Sequence, residues 1–142
     1  MNDNNFVKEW FLHSYNDYIS AKHLFENMYP KQIDISCYLC QQCAETAIKG
    51  YLVFNGIEPP KIHNMRMLCQ LCIDIDVSFN SIVAHCIDLN IYSNITRYPN
   101  ELENDEATAK SALKKAKNVY EFCLAKVSED CRPQKVEEKE WN

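Results

Sequence analysis

Apolar residues recur near the start of the chain in steps of four and three, with Val7, Phe11, Tyr18, Ala21, Phe25 and Met28 on one stripe that also takes in Ser14. That period is one face of an α-helix, and it predicts a helix from about Phe6 to Met28 that Pro30 ends. A second helix is predicted from about Asp34 to Phe54, with Asp34 near its start and Asn55-Gly56 as its stop signal. It is apolar except for polar members that recur at helical spacing through Gln41-Gln42-Cys43-Ala44-Glu45-Thr46-Ala47-Ile48-Lys49. Polar positions held inside an apolar helix point to a cleft, which is where function is to be sought. Gly50 is costly inside this helix, and its presence predicts a close helix approach.

Pro59-Pro60 keeps Ile57 to Asn64 from being helical throughout. A short third helix is predicted from His63 to about Ile73, and a fourth from the Ser78 or Asn80 region to about Tyr92. A loop follows at Arg97-Tyr98-Pro99-Asn100. The fifth helix, about Asn104 to Val127, opens on Asn104-Asp105-Glu106 and carries Ala107, Ala112, Leu113, Ala116, Val119, Tyr120 and Cys123 on one broad face. Residues 1–128 are expected to form one helical domain, and the charged stretch Glu129 to Asn142, with Pro133, a loose tail.

Composition sharpens the fold class. A chain of 142 residues makes one domain, and a chain of that size buries about 68–70% of its unfolded surface. Two glycines are too few for the turns of a sheet protein, so the fold is expected to be all-α. The formal net charge of -5 argues against constitutive nucleic-acid binding, which rests on clustered Lys and Arg, and leaves room only for a local RNA contact. Met1-Asn2-Asp3-Asn4-Asn5 carries no basic lead into an apolar core, and no apolar run approaches a membrane span, so the expected location is cytoplasmic with no membrane partner.

Eight cysteines invite a zinc reading, since Cys37-x-x-Cys40-x-x-Cys43 and Cys69-x-x-Cys72 have the spacing of ligand pairs. Their neighbours Tyr38, Leu39, Leu68 and Leu71 include no turn former, and a three-and-three spacing along a helix makes a drifting stripe. Structural thiols packed in a core are therefore expected, with no metal and no cofactor.

The motifs Gln41-Gln42-x-Ala44-Glu45-x-Ala47-x-Lys49, Gly56-x-x-Pro59, His63 and Arg97-Tyr98-Pro99 resemble, in order and spacing, those of the HEPN domain family. The resemblance runs from about Phe6 to Val127 and takes in Trp10, Asp17 and Ala21 along the first helix; Cys40 and Cys43 fall where such domains carry small residues. It implies an antiparallel up-and-down helical bundle of about five helices, commonly a homodimer, often working beside a minimal nucleotidyltransferase in a toxin-antitoxin-like module. The ribonuclease branch of the family uses an Arg followed four to six residues later by His. Arg66, Arg97 and Arg132 have no such partner, and no His follows His85.

The expected function is therefore a non-catalytic domain that binds a nucleotide, a nucleotidyltransferase partner, or both. Arg97 has the planar donor fork of a phosphate clamp; Tyr98 can stack or hydrogen-bond, Lys49 adds charge, Glu45 orients Lys49 or Arg97, and Gln42 reads a polar edge. Asp17 and His63 complete the set of ligand-binding candidates, with no catalytic residue among them. Each has a plainer role as well. Glu45 and Lys49 make an ordinary i,i+4 pair, Arg97 can satisfy helix-end carbonyls or the carboxylate of Asp17, and His63 can cap the third helix. Two alternatives stand beside this: a divergent metal-independent ribonuclease in which folding brings His63 or His85 to Arg97, and a purely structural dimerisation module.

Overall fold

The computed structural model describes residues 3–94 and 104–134, and five α-helices account for most of them. In chain order they are α1 (Asn4–Glu26), α2 (Ile33–Phe54), α3 (Met65–Ile75), α4 (Val83–Asn90) and α5 (Glu106–Ala125), with 3-10 turns at Val77–Ser81 and Glu129–Cys131. Strands are absent among the described residues.

The helix ends follow local chemistry. Asp3 starts α1 two residues before the expected position, its carboxylate accepting from the Asn5 N–H at 3.0 Å. At the far end of α2, Gly56 adopts φ 77°, the Gly56 N–H donates to Val53 O and the Ile57 N–H to Leu52 O, both at 3.0 Å. That is a Schellman stop, and only glycine takes the left-handed position without strain. Asp105 opens α5, accepting from the Thr108 N–H at 2.8 Å and hydroxyl at 2.7 Å. Asp34 sits one residue inside α2, where Gln32 holds the cap position, and its carboxylate accepts from the backbone N–H (3.2 Å) and side-chain amide (2.9 Å) of Asn104, tying the start of α2 to the lead-in of α5.

Two expectations are corrected here. The cap of α3 is Asn64, whose side-chain oxygen accepts from the Met67 N–H at 3.1 Å, so His63 is free of that duty. The region expected as one fourth helix is split, because Asp76 accepts from the Ser78 N–H (2.9 Å) and hydroxyl (2.7 Å) and winds Val77–Ser81 into a 3-10 turn before α4 begins.

The apolar stripes close into one core. Val7, Phe11, Ala21 and Phe25 of α1, Ala44, Ala47, Ile48 and Leu52 of α2, Leu68 of α3, Leu89 of α4 and Ala116 and Val119 of α5 are all buried. Tyr18 is only half-buried and Met28 is exposed, so the α1 stripe narrows at its end. Ser14 sits in the stripe because its hydroxyl donates to Cys43 O at 2.6 Å, and Ser36 likewise donates to Ala21 O at 2.8 Å. Gly50 marks a close approach of α1 to α2: a Cβ there would stand 3.0 Å from Phe11 Cε2 and 3.2 Å from Trp10 Cβ.

All eight cysteines are free and buried. Burial pushes the Cys37 thiol up to about 11 and the Cys43 thiol to about 12, so neither offers a thiolate at neutral pH. Among the described residues no three His, Cys, Asp or Glu side chains converge to hold a metal ion.

The described chain runs on past Ser128 to residue 134. Cys131 is fully buried with its thiol 3.3 Å from Asn4 Oδ1, and Arg132 donates to Leu124 O at 3.1 Å and Val127 O at 3.0 Å. Arg132 thus satisfies one carbonyl in the last turn of α5 and one just beyond its end.

Asp76 gives the fold an acid sensitivity. Its hydrogen bonds from Ser78, and then Lys126 Nζ at 3.1 Å, hold its carboxyl down at about 2 against an ordinary 3.8. A depressed carboxyl stabilises the fold above its unfolded value and loses that contribution as pH falls through the folded one. Asp76→Asn is expected to lower stability at neutral pH and to flatten the loss of stability between pH 4 and pH 2, read from urea midpoints across that range. An unchanged acid limb would place the sensitivity elsewhere.

Candidate functional site

The polar members of α2 form a connected chain that starts inside the bundle. Gln41, fully buried, donates from Nε2 to Glu45 Oε1 at 2.9 Å, and Gln42 Nε2 donates to Gln41 Oε1 at 2.6 Å. Glu45, 5% exposed, accepts from Lys49 Nζ at 3.0 Å on its other oxygen. His63 Nδ1–H completes the set, donating to the same carboxylate at 3.1 and 3.2 Å. Glu45 is thus a buried hub for an amide, an ammonium and an imidazole. Every buried side-chain polar atom among the described residues has a partner, so burying this network strands nothing.

The hub reaches the surface most openly at His63. The Lys49 side chain is 12% exposed and that of His63 71%, so the imidazole is the solvent-facing end, anchored by the returning Pro59-Pro60 loop. The expected i,i+4 pairing of Glu45 with Lys49 is present, and Glu45 does orient Lys49. Sequence reasoning missed Gln41 as the internal link and His63 as a partner of Glu45. The first had a signal, since Gln41, Glu45 and Lys49 lie four residues apart on one face. The second joins residues 18 apart and depends on the path of the loop.

Beside the hub runs a groove between α1 and α2. One cavity of about 420 Å³ is lined by Phe6, Glu9, Trp10, His13, Asp17, Gln42 and Thr46. A second, of about 480 Å³, carries on past Phe6 and Trp10 to Lys49, Gly56, Ile57, Glu58, Pro59, Pro60 and Lys61. Phe6 and Trp10 belong to both and meet edge to face at 6.4 Å. Three of the expected residues, Asp17, Gln42 and Lys49, therefore share one groove divided by an aromatic pair, and Glu45 supports it from beneath. His63 reaches the groove only through Glu45 and Lys49. Arg97 and Tyr98 lie outside the described residues.

Asp17 is the least settled group in the groove. Burial raises its pKa, with the nearby His13 acting in the opposite direction, and it makes no hydrogen bond or ion pair among the described residues. A carboxylate kept partly desolvated and unpaired is held there at a cost in stability.

The HEPN domain family model matches residues 7–128. Two solved structures share the fold. ST0689, an archaeal HEPN homologue, is 23% identical with a TM-score of 0.67 over 86% of this chain and 98% of its own. TT1696 from Thermus thermophilus is 23% identical with a TM-score of 0.71 over 87% of this chain and 99% of its own. Comparison with curated proteins gives no significant match. With a family match that spans most of the chain, and a bundle of the same architecture beneath it, the chain belongs to the HEPN domain family.

Proposed function

We propose that this is a non-catalytic HEPN domain that binds a nucleotide in the α1–α2 groove and acts beside a minimal nucleotidyltransferase in a toxin-antitoxin-like module. The observation that carries the nucleotide reading is Asp17, a partly desolvated carboxylate without a partner among the described residues, facing a groove with an aromatic divider. Asp17 and Gln42 offer an acceptor and an amide to ribose hydroxyls or a base edge. Phe6, 48% exposed, and Trp10 offer ring surface to a base. At the other end Lys49 and Lys61 supply cations for phosphates; Arg97, the phosphate clamp expected from the sequence, lies outside the described residues. Glu45 serves as a positioning residue, holding Lys49 against the groove wall.

Titration calorimetry with mono-, di- and triphosphate nucleotides tests this. Wild type is expected to bind one of them, with Asp17→Asn and Arg97→Ala each weakening it by roughly tenfold or more, the loss of one charge-assisted hydrogen bond. Asp17→Asn has a second, opposite expectation. An acid whose pKa is raised by folding opposes folding above its unfolded pKa, so removing the charge should raise Tm at neutral pH. Weaker ligand binding together with a higher Tm is the signature of a residue retained for binding. No binding of any nucleotide, or binding indifferent to both variants, would overturn the assignment.

A further inference from the structure

Away from the α1–α2 groove, on the face where α1 meets α5, five lysines line a cleft of about 550 Å³, Lys22, Lys31, Lys110, Lys114 and Lys117, with Glu26 in the same lining and the Glu121 carboxylate 3.9 Å from Lys117. In a chain of net charge -5 such a concentration of one sign is a local reversal of the overall field. Lys110, Lys114 and Lys117 are exposed and follow one another along α5 at four and three residues. At 1.5 Å rise per residue they stand about 6 and 4.5 Å apart along the helix axis. Lys31 forms the far end, donating to Phe25 O at 2.7 Å with its ammonium 4.4 Å above the Phe25 ring.

We propose that this cleft docks an acidic helical segment of a partner protein, with carboxylates repeating at four and three residues that match the α5 lysines. Two features favour carboxylates over a nucleic-acid strand. Every cation is Lys, a point charge, and none is Arg, whose fork fits phosphate. The floor also offers little stacking surface: Phe25 is 3% exposed and already covered by Lys31, Leu113 is 8% exposed, and Tyr18, the other ring in the lining, is half-buried. Sequence-tolerant single-strand sites combine a basic track with a row of open aromatic platforms, and this one has the track with a single half-buried ring. The lysine spacing is that of a helix face, so a partner helix lying alongside α5 can pair charge for charge, as flanking positions do in coiled coils. With so little apolar surface open on the floor, the contact is electrostatic, quick to form and sensitive to salt.

Fluorescence anisotropy on the full chain tests it with three labelled probes: a helical peptide bearing Glu at four-and-three spacing, a peptide of the same composition with Glu on all faces, and a single-stranded oligonucleotide. The patterned peptide is expected to bind tightest, to lose affinity as salt rises, and to weaken by roughly tenfold or more with Lys110→Glu/Lys114→Glu. Lys8→Glu, on α1 outside the cleft, is expected to leave binding nearly unchanged. Circular dichroism on each variant separates lost docking from lost fold. Equal binding of the scrambled peptide would remove the helical register from the proposal. Tighter binding of the oligonucleotide would make the cleft a phosphate track, and no binding of any probe would leave the lysines as a solvated face; either result overturns it.

Discussion

Phe11→Ala is expected to cost about 3–5 kcal/mol of folding stability, the range for emptying a fully buried aromatic position. Phe11 is 0% exposed, packs edge to face on Tyr120 at 6.3 Å and lies against Gly50. It therefore fills the junction where α1, α2 and α5 meet. A domain of this kind has about 5–15 kcal/mol in total, so the variant should sit near the edge of folding. Urea titration would show the loss as a lower midpoint with an unchanged slope. A loss below about 1 kcal/mol would mean that the junction closes around the hole or that another cluster carries the core. A companion variant checks the geometry. In wild type, Gly50→Ala places a Cβ 3.0 Å from Phe11 Cε2, which offsets the helix propensity that Ala gains over Gly, about 1 kcal/mol. With Phe11 already Ala the ring is gone, and Gly50→Ala should become more favourable by about 1 kcal/mol or more, a coupling that distant sites do not show.

The parts of this fold that were legible in the sequence are those set by local chemistry. The apolar period placed α1 and α2 to within two residues, and Asn55-Gly56 marked a stop that φ 77° at Gly56 explains. Gly50 announced the close approach that Phe11 and Trp10 make. The thiols read as packing because their neighbours are apolar, and all eight are buried.

What was not legible depends on longer paths or on competition between neighbours. His63 and Asn64 are adjacent candidates for one cap, and the shorter Asn side chain reaches the Met67 N–H while His63 turns back to Glu45. Asp76 before Ser78 is a local turn signal, yet the apolar run beyond it reads as continuous helix until the turn is seen to take the first residues. For the groove, the sequence supplied Asp17, Gln42 and Lys49 as separate marks. Only the antiparallel seating of α1 on α2 brings them to one groove, with Phe6 and Trp10 dividing it.

Glu45→Ala is expected to destabilise the protein by about 3–5 kcal/mol, because removing one member of a buried ionic set leaves the others without a counterpart. The carboxylate is 5% exposed and takes Gln41, Lys49 and His63 at once. The Gln41 amide, in a side chain with no exposure, has no water within reach to replace it, and Lys49, at 12%, has little. His63, at 71%, can turn to solvent and should contribute least. Two further variants separate these contributions in chemical denaturation. Glu45→Gln keeps an acceptor for Gln41 and removes only the charge, so it should cost less than Glu45→Ala. Lys49→Met added to Glu45→Ala removes the stranded ammonium and keeps its apolar stem, and should recover about 1–2 kcal/mol. If the double variant is no more stable than Glu45→Ala alone, the cost comes from Gln41 and the cavity, and the ion pair serves to aim Lys49 at the groove without holding the helices together.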